Sequence, residues 1–258
     1  MRISAMRCSF ALLAALAVMG ASARAQNPPD FSKIQIKTIK MNGNVYVLEG
    51  QGGRIGFLTG ADGVFMVDTQ FAPLTDKIVA AIRQVTDSPI RFVINTHVHG
   101  DHTGGDENFA KLGAVIFSRD ELRERMAHPA PGANGITPPP APAAALPVIT
   151  YGPGSHLTFH MNGEEIEVYA LPPGHTGGDS FVRFKNADVI MTGDFYRALG
   201  YTFIDVPNGG AFKTVPEGLA FMISLAGPNT TVVPGHGPIG NRATLMAHRD
   251  MLLASHSE

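Results

Sequence analysis

The sequence contains only one cysteine, Cys8, among its 258 residues. A single thiol cannot form a disulfide within the chain, and it cannot supply the paired thiolates of a cysteine-based zinc site. Cys8 also lies within a segment that we interpret as a cleaved leader, so the mature protein would have no thiol at all. The lack of thiols suits an oxidising compartment such as a bacterial periplasm.

Long apolar runs are missing too, apart from one near the N-terminus. That run, Phe10 to Gly20, has 11 residues and is too short to span a bilayer comfortably. It follows the basic residues Arg2 and Arg7 and precedes the small-residue sequence Ala23-Arg24-Ala25. These features are typical of a secretory signal peptide over residues 1–25. We therefore expect a periplasmic or secreted protein without a stable membrane anchor after cleavage; a retained anchor is the alternative.

An excess of basic residues is absent as well. The full chain has 20 lysines and arginines against 22 aspartates and glutamates. Residues 1–25 contain three of the arginines and no acidic residue, which leaves 17 basic against 22 acidic residues and a net charge of about −5 in the mature protein. Phosphate binding needs clustered cations, so this balance argues against a nucleic-acid partner and favours a small-molecule substrate.

Short apolar and alternating segments predict a strand-rich chain. Strands are predicted at residues 33–40, 44–49, 54–59, 63–69, 90–95, 114–118, 155–160, 164–171, 180–185, 188–193 and 231–235. Helices are predicted at about 74–85, 120–127, 215–226 and 241–255. Residues 128–147 are rich in Pro, Ala and Gly and predict a long loop, either a lid or a surface insertion. Groups of strands with interspersed helices favour an α/β fold in which two sheets are covered by helices.

The densest group of polar residues follows the apolar strand predicted at 90–95 and reads His97-Val98-His99-Gly100-Asp101-His102. Residues 97 and 99 point the same way in an extended chain, and Asp101 and His102 follow where the chain turns. Crowded imidazole and carboxylate groups become favourable neighbours when they share a dication, and both are standard zinc ligands. The run therefore predicts two neighbouring metal positions.

Three later segments repeat the plan of an apolar strand, a glycine and one potential ligand. They place His175 in LPPGHTGGD (171–179), Asp194 in VIMTGDF (189–195) and His236 in TVVPGHGP (231–238). One histidine after a strand is a weak indication of a ligand, because such residues are more often on the surface or in the core. Four such segments in one chain, led by the HxHxDH run, predict a metal site.

In this order, the motifs HxHxDH, GHTxGD, TGD and GHG resemble those of the metallo-β-lactamase superfamily. The resemblance covers essentially the whole mature chain and implies a catalytic domain over residues 26–258. It implies an αββα four-layer sandwich of two mixed β-sheets with flanking helices. It also implies two Zn²⁺ ions per chain, held by His97, His99 and His175 and by Asp101, His102 and His236.

The resemblance assigns further roles to two carboxylates of this site. Asp194 would bridge the two ions, and Asp101 would be a catalytic residue that orients the attacking water and later passes on a proton. Dedicated zinc β-lactamases of the superfamily usually have Cys or Ser where this chain has Asp194. Asp is common at that position in the glyoxalase II, lactonase and phosphodiesterase-like branches, so the motif set indicates a general hydrolase site.

Arg197 favours β-lactams, because it stands where many β-lactamases of the superfamily have a cation that binds the substrate carboxylate. A surface salt bridge is the alternative role of Arg197. The resemblance thus implies a secreted dizinc hydrolase that opens a small cyclic amide or ester with metal-activated water. A β-lactam antibiotic is the best single candidate substrate, and a lactonase or thioesterase is the alternative.

Other interpretations fit the chain less well. A glyoxalase II would need a C-terminal region that binds glutathione, and only 22 residues follow His236. A mononuclear iron dioxygenase in the same pocket is a further alternative, as is a non-catalytic module, which all seven ligand-type residues disfavour. The glycine-rich hairpin at 48–55 resembles a flap over the substrate, and Phe71 and Phe195 are either pocket wall or core.

Overall fold

The computed structural model describes residues 29–131 and 135–255, so the predicted signal peptide lies outside the described residues. Thirteen strands lie in this described part: β1 (Lys37–Lys40), β2 (Val45–Glu49), β3 (Ile55–Leu58), β4 (Val64–Val67), β5 (Ile90–Ile94), β6 (Val115–Arg119), β7 (Ile149–Tyr151), β8 (His156–Met161), β9 (Glu164–Ala170), β10 (Ser180–Phe184), β11 (Val189–Met191), β12 (Thr231–Val233) and β13 (Gly240–Asn241). The α-helices there are α1 (Thr75–Arg83), α2 (Gly100–Thr103), α3 (Asp106–Lys111), α4 (Asp120–Ala127), α5 (Val215–Leu225) and α6 (Arg242–Ser255).

The strands form two mixed sheets, and each sheet contains one continuous half of the chain. The first sheet has the order β1 to β7, with antiparallel pairing from β1 to β4 and parallel pairing from β4 to β7. The second has the order β13-β12-β11-β10-β9-β8 and is antiparallel except between β11 and β12.

The inner faces of the two sheets pack against each other. Phe65 and Val67 of β4 share one buried cluster with Val168 of β9 and Phe184 of β10. The rings of Phe65 and Phe184 meet edge to face, with 6.4 Å between their centroids. Because side chains alternate along a strand, Met66 faces the opposite side and belongs to a second cluster.

Helices cover the outer faces of both sheets. On the first sheet, Ile78 of α1 and Phe109 of α3 complete the second apolar cluster. On the second sheet, Leu219 of α5 and Leu245 of α6 pack on Phe181 in a third cluster. The order of layers is therefore helix, sheet, sheet and helix, which confirms the predicted αββα sandwich.

The structure differs from the predicted elements in a few places. The first strand begins at Lys37 rather than Lys33, because a 3₁₀ turn occupies Phe31–Lys33. The short helices α2 and α3 and the short strands β7 and β13 were not predicted. The described part of the 128–147 loop has a single 3₁₀ turn, Ala143–Ala145, and no strand or α-helix. None of the helices in the described residues combines the length and apolar character needed to cross a bilayer.

Candidate metal centre

The HxHxDH run divides into two local conformations, and this division explains why its side chains reach two positions. His97 lies in the bend after β5, and His99 is extended and directly precedes α2. Asp101 and His102 lie within the single turn of α2. His97 and His102 are buried, whereas Asp101 and His99 are partly exposed.

The structure brings all seven predicted site residues together. Three groups have ligand atoms that all lie within 4.8 Å of one another, and each group contains three residues: His97/His99/His175, His97/His102/Asp194 and Asp101/His102/His236. The first and third groups are the two triads that the resemblance implies. The second group joins them, with His97 from the first triad, His102 from the other and Asp194.

Each residue of the second group has a buried polar atom without a hydrogen-bond partner in the described part of the chain. His97 Nε2, His102 Nε2 and Asp194 Oδ1 are buried and have no hydrogen-bond partner among the described residues. Leaving one such atom unpaired inside a protein costs about 1–3 kcal/mol. His102 Nε2 and Asp194 Oδ1 lie 3.3 Å apart without forming a hydrogen bond. A cation between these three atoms would satisfy all of them, so the residues present fit a metal ion.

The outward nitrogens of the buried histidines already have partners. His102 Nδ1 donates to Asp68 Oδ2 over 2.7 Å, because an ionised carboxylate only accepts. Thr96 Oγ1 also donates to Asp68 Oδ2, so Thr96 Oγ1 accepts from His97 Nδ1. The Nε2 atom of His97, and that of His102 in its neutral form, is then a lone-pair acceptor that points into the cluster.

The same arrangement holds the other two histidines of the first triad. His99 Nε2 donates to Asp205 Oδ2 over 2.7 Å, and His175 Nδ1 donates to the Phe203 carbonyl oxygen over 2.6 Å. These bonds leave His99 Nδ1 and His175 Nε2 as acceptors, and the two atoms lie only 2.9 Å apart. Two lone pairs at that distance repel each other unless a positive charge lies between them.

Two of these orienting carboxylates were missed in the sequence. Asp68 follows β4, is almost fully buried and has a left-handed backbone conformation, with φ of 64°. That conformation is uncommon outside glycine, and Asp is one of the residues that tolerate it. Asp205 lies 106 residues after its partner His99. Neither has a spacing that marks it, although the sequence VDT at a strand end was a usable signal for Asp68.

The pKa shifts of His97, His175, Asp194 and Asp101 favour the protonation states that bind metal. Burial lowers the pKa of His97 well below its usual value, and neighbouring histidines add to the effect. Burial also lowers the pKa of His175 to about 4, so both rings are neutral near pH 7. Burial opposes ionisation of Asp194 and Asp101, but the histidines beside them hold the pKa of both carboxyls below the usual range. Neutral imidazoles and ionised carboxylates are the forms that bind metal.

His102 behaves differently in the absence of a metal. Burial disfavours its charged form, but the carboxylates of Asp68 and Asp194 outweigh burial and raise the pKa of His102. The imidazole therefore has to release a proton before its Nε2 atom binds a cation.

The hairpin between β2 and β3 forms a wall of the site. Gly53 N donates to the Asp101 carbonyl oxygen, and Arg54 N donates to the Gly235 carbonyl oxygen. The Arg54 guanidinium donates to the carbonyl oxygens of Pro234 and Gly237 and pairs with Glu49 at 2.8 Å. The tip predicted as a flap is therefore fastened to the loops that carry Asp101 and His236.

We expect Gly53→Ala to destabilise this wall and disturb His102. A Cβ atom at residue 53 would collide with the His102 imidazole, which is fully buried and cannot move aside freely. Overpacking of this kind costs about 1–3 kcal/mol. Urea unfolding should show that loss, and zinc titration should show weaker metal binding. Gly100→Ala is the matched control, because no atom lies within 4 Å of a Cβ there; equal effects of both variants would contradict the assignment.

We also expect Asp205→Asn to weaken zinc binding by about 10–100-fold, the usual loss when the partner of a ligand histidine is removed. Asp205 Oδ2 accepts from both His99 Nε2 and Asn208 Nδ2, and Asp205 Oδ1 accepts from Asn208 N. An amide has a single acceptor oxygen, so Asn cannot accept at both positions. Competition with a chromophoric chelator would measure the change. Asp76→Asn, at an exposed position of α1, is the control and should leave the affinity unchanged.

The remaining residues singled out in the sequence have different environments. Phe195 is buried in the third apolar cluster and is core. Phe71 is partly buried and packs on Phe31, with 5.3 Å between ring centroids. Arg197 is exposed and has no ion pair within residues 29–131 and 135–255, so the surface salt bridge is absent there. The rings of Phe203 and His175 have centroids 5.9 Å apart, and Phe203 is 56% exposed, so an apolar surface borders the first triad.

Comparisons with known proteins agree with this geometry. The family described as the metallo-β-lactamase superfamily matches residues 40–236. The chain resembles the solved metallo-β-lactamase of Pontibacter korlensis, with a TM-score of 0.69, 19% identity, and coverage of 85% of this chain and 99% of that one. It is similarly close to the DIM-1 metallo-β-lactamase, with a TM-score of 0.69, 18% identity, and coverage of 86% and 100%. At such identities these structures show a shared fold.

Two curated proteins share 26% identity with this chain. The alpha subunit of a 2,4-dinitroanisole O-demethylase from Nocardioides sp. matches over 62% of this chain, which spans only about half, 48%, of that protein. A probable metallo-hydrolase of Methanocaldococcus jannaschii matches over 59% of this chain and 72% of its own length. The family match includes all seven residues of the cluster. The chain therefore belongs to the metallo-β-lactamase superfamily of metallo-hydrolases.

Proposed function

We propose that the cluster binds two zinc ions, the first through His97, His99 and His175 and the second through Asp101, His102 and His236. Asp194 has one oxygen 3.3 Å from His102 Nε2 and the other 3.9 Å from His175 Nε2, so it contacts both triads and would bridge the ions. One observation supports the proposal most strongly. Three buried ligand atoms, one each from His97, His102 and Asp194, lie together between the triads and have no hydrogen-bond partner among the described residues.

We propose that the chemistry is hydrolysis. Zinc bound at such a site polarises a substrate carbonyl and makes water nucleophilic near neutral pH. Asp101 is the residue of the chain that fits proton transfer, because its carboxylate is partly exposed and lies 3.0 Å from His236 Nε2. The pKa of Asp101 lies below its usual value, against the effect of burial, because His236 and His102 stabilise the carboxylate, so the group is ionised at neutral pH. In this form Asp101 would accept a proton from the attacking water and pass it to the leaving group.

The proposed substrate is a small cyclic amide or ester. Two features favour a β-lactam: the solved neighbours named as β-lactamases, and the exposed cation of Arg197, which is free to bind a substrate carboxylate. Asp194, in place of a cysteine or serine, favours a lactone or thioester instead. Both substrate types react through an electrophilic carbonyl, so one site accommodates either.

A hydrolysis panel tests this proposal. Zinc-loaded mature protein would be assayed with a chromogenic cephalosporin, a homoserine lactone, a thioester, a phosphodiester and 2,4-dinitroanisole. We expect turnover of the cephalosporin or of the lactone and thioester. Turnover of the phosphodiester alone, or of the aryl ether alone, would overturn the proposed substrate class. Elemental analysis of the purified protein would separate two zinc ions from a single iron.

We also propose that the chain is exported, on the basis of the predicted signal peptide at residues 1–25. Expression in a Gram-negative host followed by fractionation should place the protein in the periplasm, and N-terminal sequencing should begin at residue 26. A cytoplasmic protein with an intact N-terminus would contradict export without affecting the proposed hydrolysis.

A further inference from the structure

A second cavity opens directly beside the metal centre. It has a volume of ≈ 390 Å³, and its wall includes His99 together with Thr103 and Gly104 of the segment around α2. This volume lies within the range of small-molecule sites in proteins. Of the seven residues of the cluster only His99 lines this cavity, so the cavity adjoins the metal centre at the His99 side chain.

The far wall of the cavity is apolar and is formed by the last turn of α4 and the segment after it. Met126, Pro138, Ala141 and Ala145 line it, and Met126 and Ala145 form a small buried cluster with Leu122. Ala141 and Leu146 pack against the same cluster. An apolar surface of this kind gains free energy when it covers a hydrocarbon group of a ligand.

This wall is a fixed part of the fold. Ala141 N donates to the Met126 carbonyl oxygen over 2.9 Å, and the Arg123 guanidinium donates to the Pro147 carbonyl oxygen. These bonds fasten both ends of residues 141–147 to α4. The described part of the predicted 128–147 loop therefore forms one side of a pocket next to the site, which favours a role in binding over a plain surface insertion.

Two charged side chains, Glu107 and Arg125, also line the cavity. Glu107 is paired with Lys111 at 2.8 Å, so its charge is compensated. Arg125 is half-buried and has no ion pair or hydrogen bond within residues 29–131 and 135–255. A neutral or anionic ligand suits this arrangement, whereas a cationic tail would meet Arg125.

We propose that this cavity binds the apolar acyl substituent of the substrate. The inference rests on the proposed hydrolysis and adds to it a preference for a carbonyl substrate with a medium-length acyl chain over one with an acetyl group. The reacting carbonyl lies at the metal centre, the chain runs past His99, and Ala141 and Met126 contact its methylenes.

The test compares p-nitrophenyl acetate, butyrate, hexanoate and octanoate as substrates of the zinc-loaded protein. Burial of each methylene is expected to raise kcat/KM by about three- to four-fold until the cavity is full. Ala141→Phe fills the cavity and should flatten this dependence, with a loss of kcat/KM at least about ten-fold larger for the octanoate than for the acetate. Ala144→Phe is the matched control, because Ala144 is exposed on the same segment and does not line the cavity.

The results distinguish failure of the proposed acyl subsite from failure of the proposed hydrolysis. An equal chain-length dependence in wild type and Ala141→Phe, or none in the wild type, would overturn the acyl subsite. If Ala141→Phe does not fold, Ala130→Phe fills the cavity from another side. If no ester is cleaved, isothermal titration calorimetry with octanoate and acetate tests the acyl subsite by comparing their affinities. Binding of octanoate at least about ten-fold tighter in the wild type, lost in the filled variant, supports the subsite, and equal binding of both anions refutes it.

Discussion

Replacing His97 by alanine is expected to lower kcat/KM for hydrolysis by about 10³-fold, since a zinc ion supplies several kcal/mol of transition-state stabilisation. His97 belongs to two of the three ligand groups. Its ring centroid lies 4.0 Å from that of His102 and 4.6 Å from that of His175. Loss of its imidazole therefore removes a ligand from the first triad and leaves a gap beside the second.

The measurement pairs steady-state hydrolysis with the zinc content of the purified variant, which should fall from two ions per chain to one or fewer. His160→Ala is the control, because His160 lies exposed on β8 and matches none of the site motifs. The control should keep wild-type activity and zinc content. Full activity with two zinc ions in the His97 variant would refute the ligand assignment.

Removal of zinc is expected to lower the melting temperature of the protein by about 10 °C. Binding of a ligand present at about a thousand times its dissociation constant stabilises the folded state by about 4 kcal/mol, and for a domain of this size each kcal/mol shifts the midpoint by about 2–4 °C. The physical reason is local. Without a cation, three buried ligand atoms stay unpaired, and the acceptor nitrogens of His99 and His175 face each other at 2.9 Å.

Differential scanning calorimetry of the protein with zinc and after treatment with a chelator would measure this shift. Zinc added back should restore the midpoint, whereas magnesium should not, because magnesium prefers oxygen ligands to imidazole. The His97→Ala variant should show a clearly smaller difference between the two conditions. Equal midpoints of the wild-type protein with and without zinc would show that the cluster holds no metal that stabilises the fold.

The local chemistry of the site was readable in the sequence. Each predicted ligand lies in a segment that follows an apolar strand and contains glycine, and this pattern depends only on neighbouring residues. The fold class was predictable for the same reason, since buried strands such as β3 and β4 are short apolar runs. The match of residues 40–236 to the superfamily confirms the resemblance that these motifs suggested.

The helices inside the histidine run were not predictable from their residues. α2 has four residues and α3 has six, too few to be stable alone, and glycine is a poor helix former. Tertiary bonds hold this region: Thr69 N donates to the His102 carbonyl oxygen, and Gly105 N donates to the Gln70 carbonyl oxygen. These bonds hold α2 where Asp101 and His102 meet His236, and so form the second triad.

The residues that orient the ligands could not be predicted from the sequence either. Asp68, Asp205 and Arg54 look like ordinary charged residues in the sequence, because their partners lie far along the chain. Asp205 and His99 are 106 residues apart, and Arg54 and Pro234 are 180 residues apart. The acyl cavity likewise arises only where the segment around α2 meets the residues after α4.

The amino-acid sequence by itself determined the kinds of groups available, namely five imidazoles and two carboxylates at the ends of buried strands, and with them the family and the layered fold. Only the tertiary structure decided which ring nitrogen points into the cluster, which carboxylate orients it, and where an apolar cavity adjoins the site. The physical reason is that strand formation and ligand chemistry depend on neighbouring residues, whereas hydrogen-bond direction and cavity shape depend on groups that meet only after the two halves of the chain have packed together.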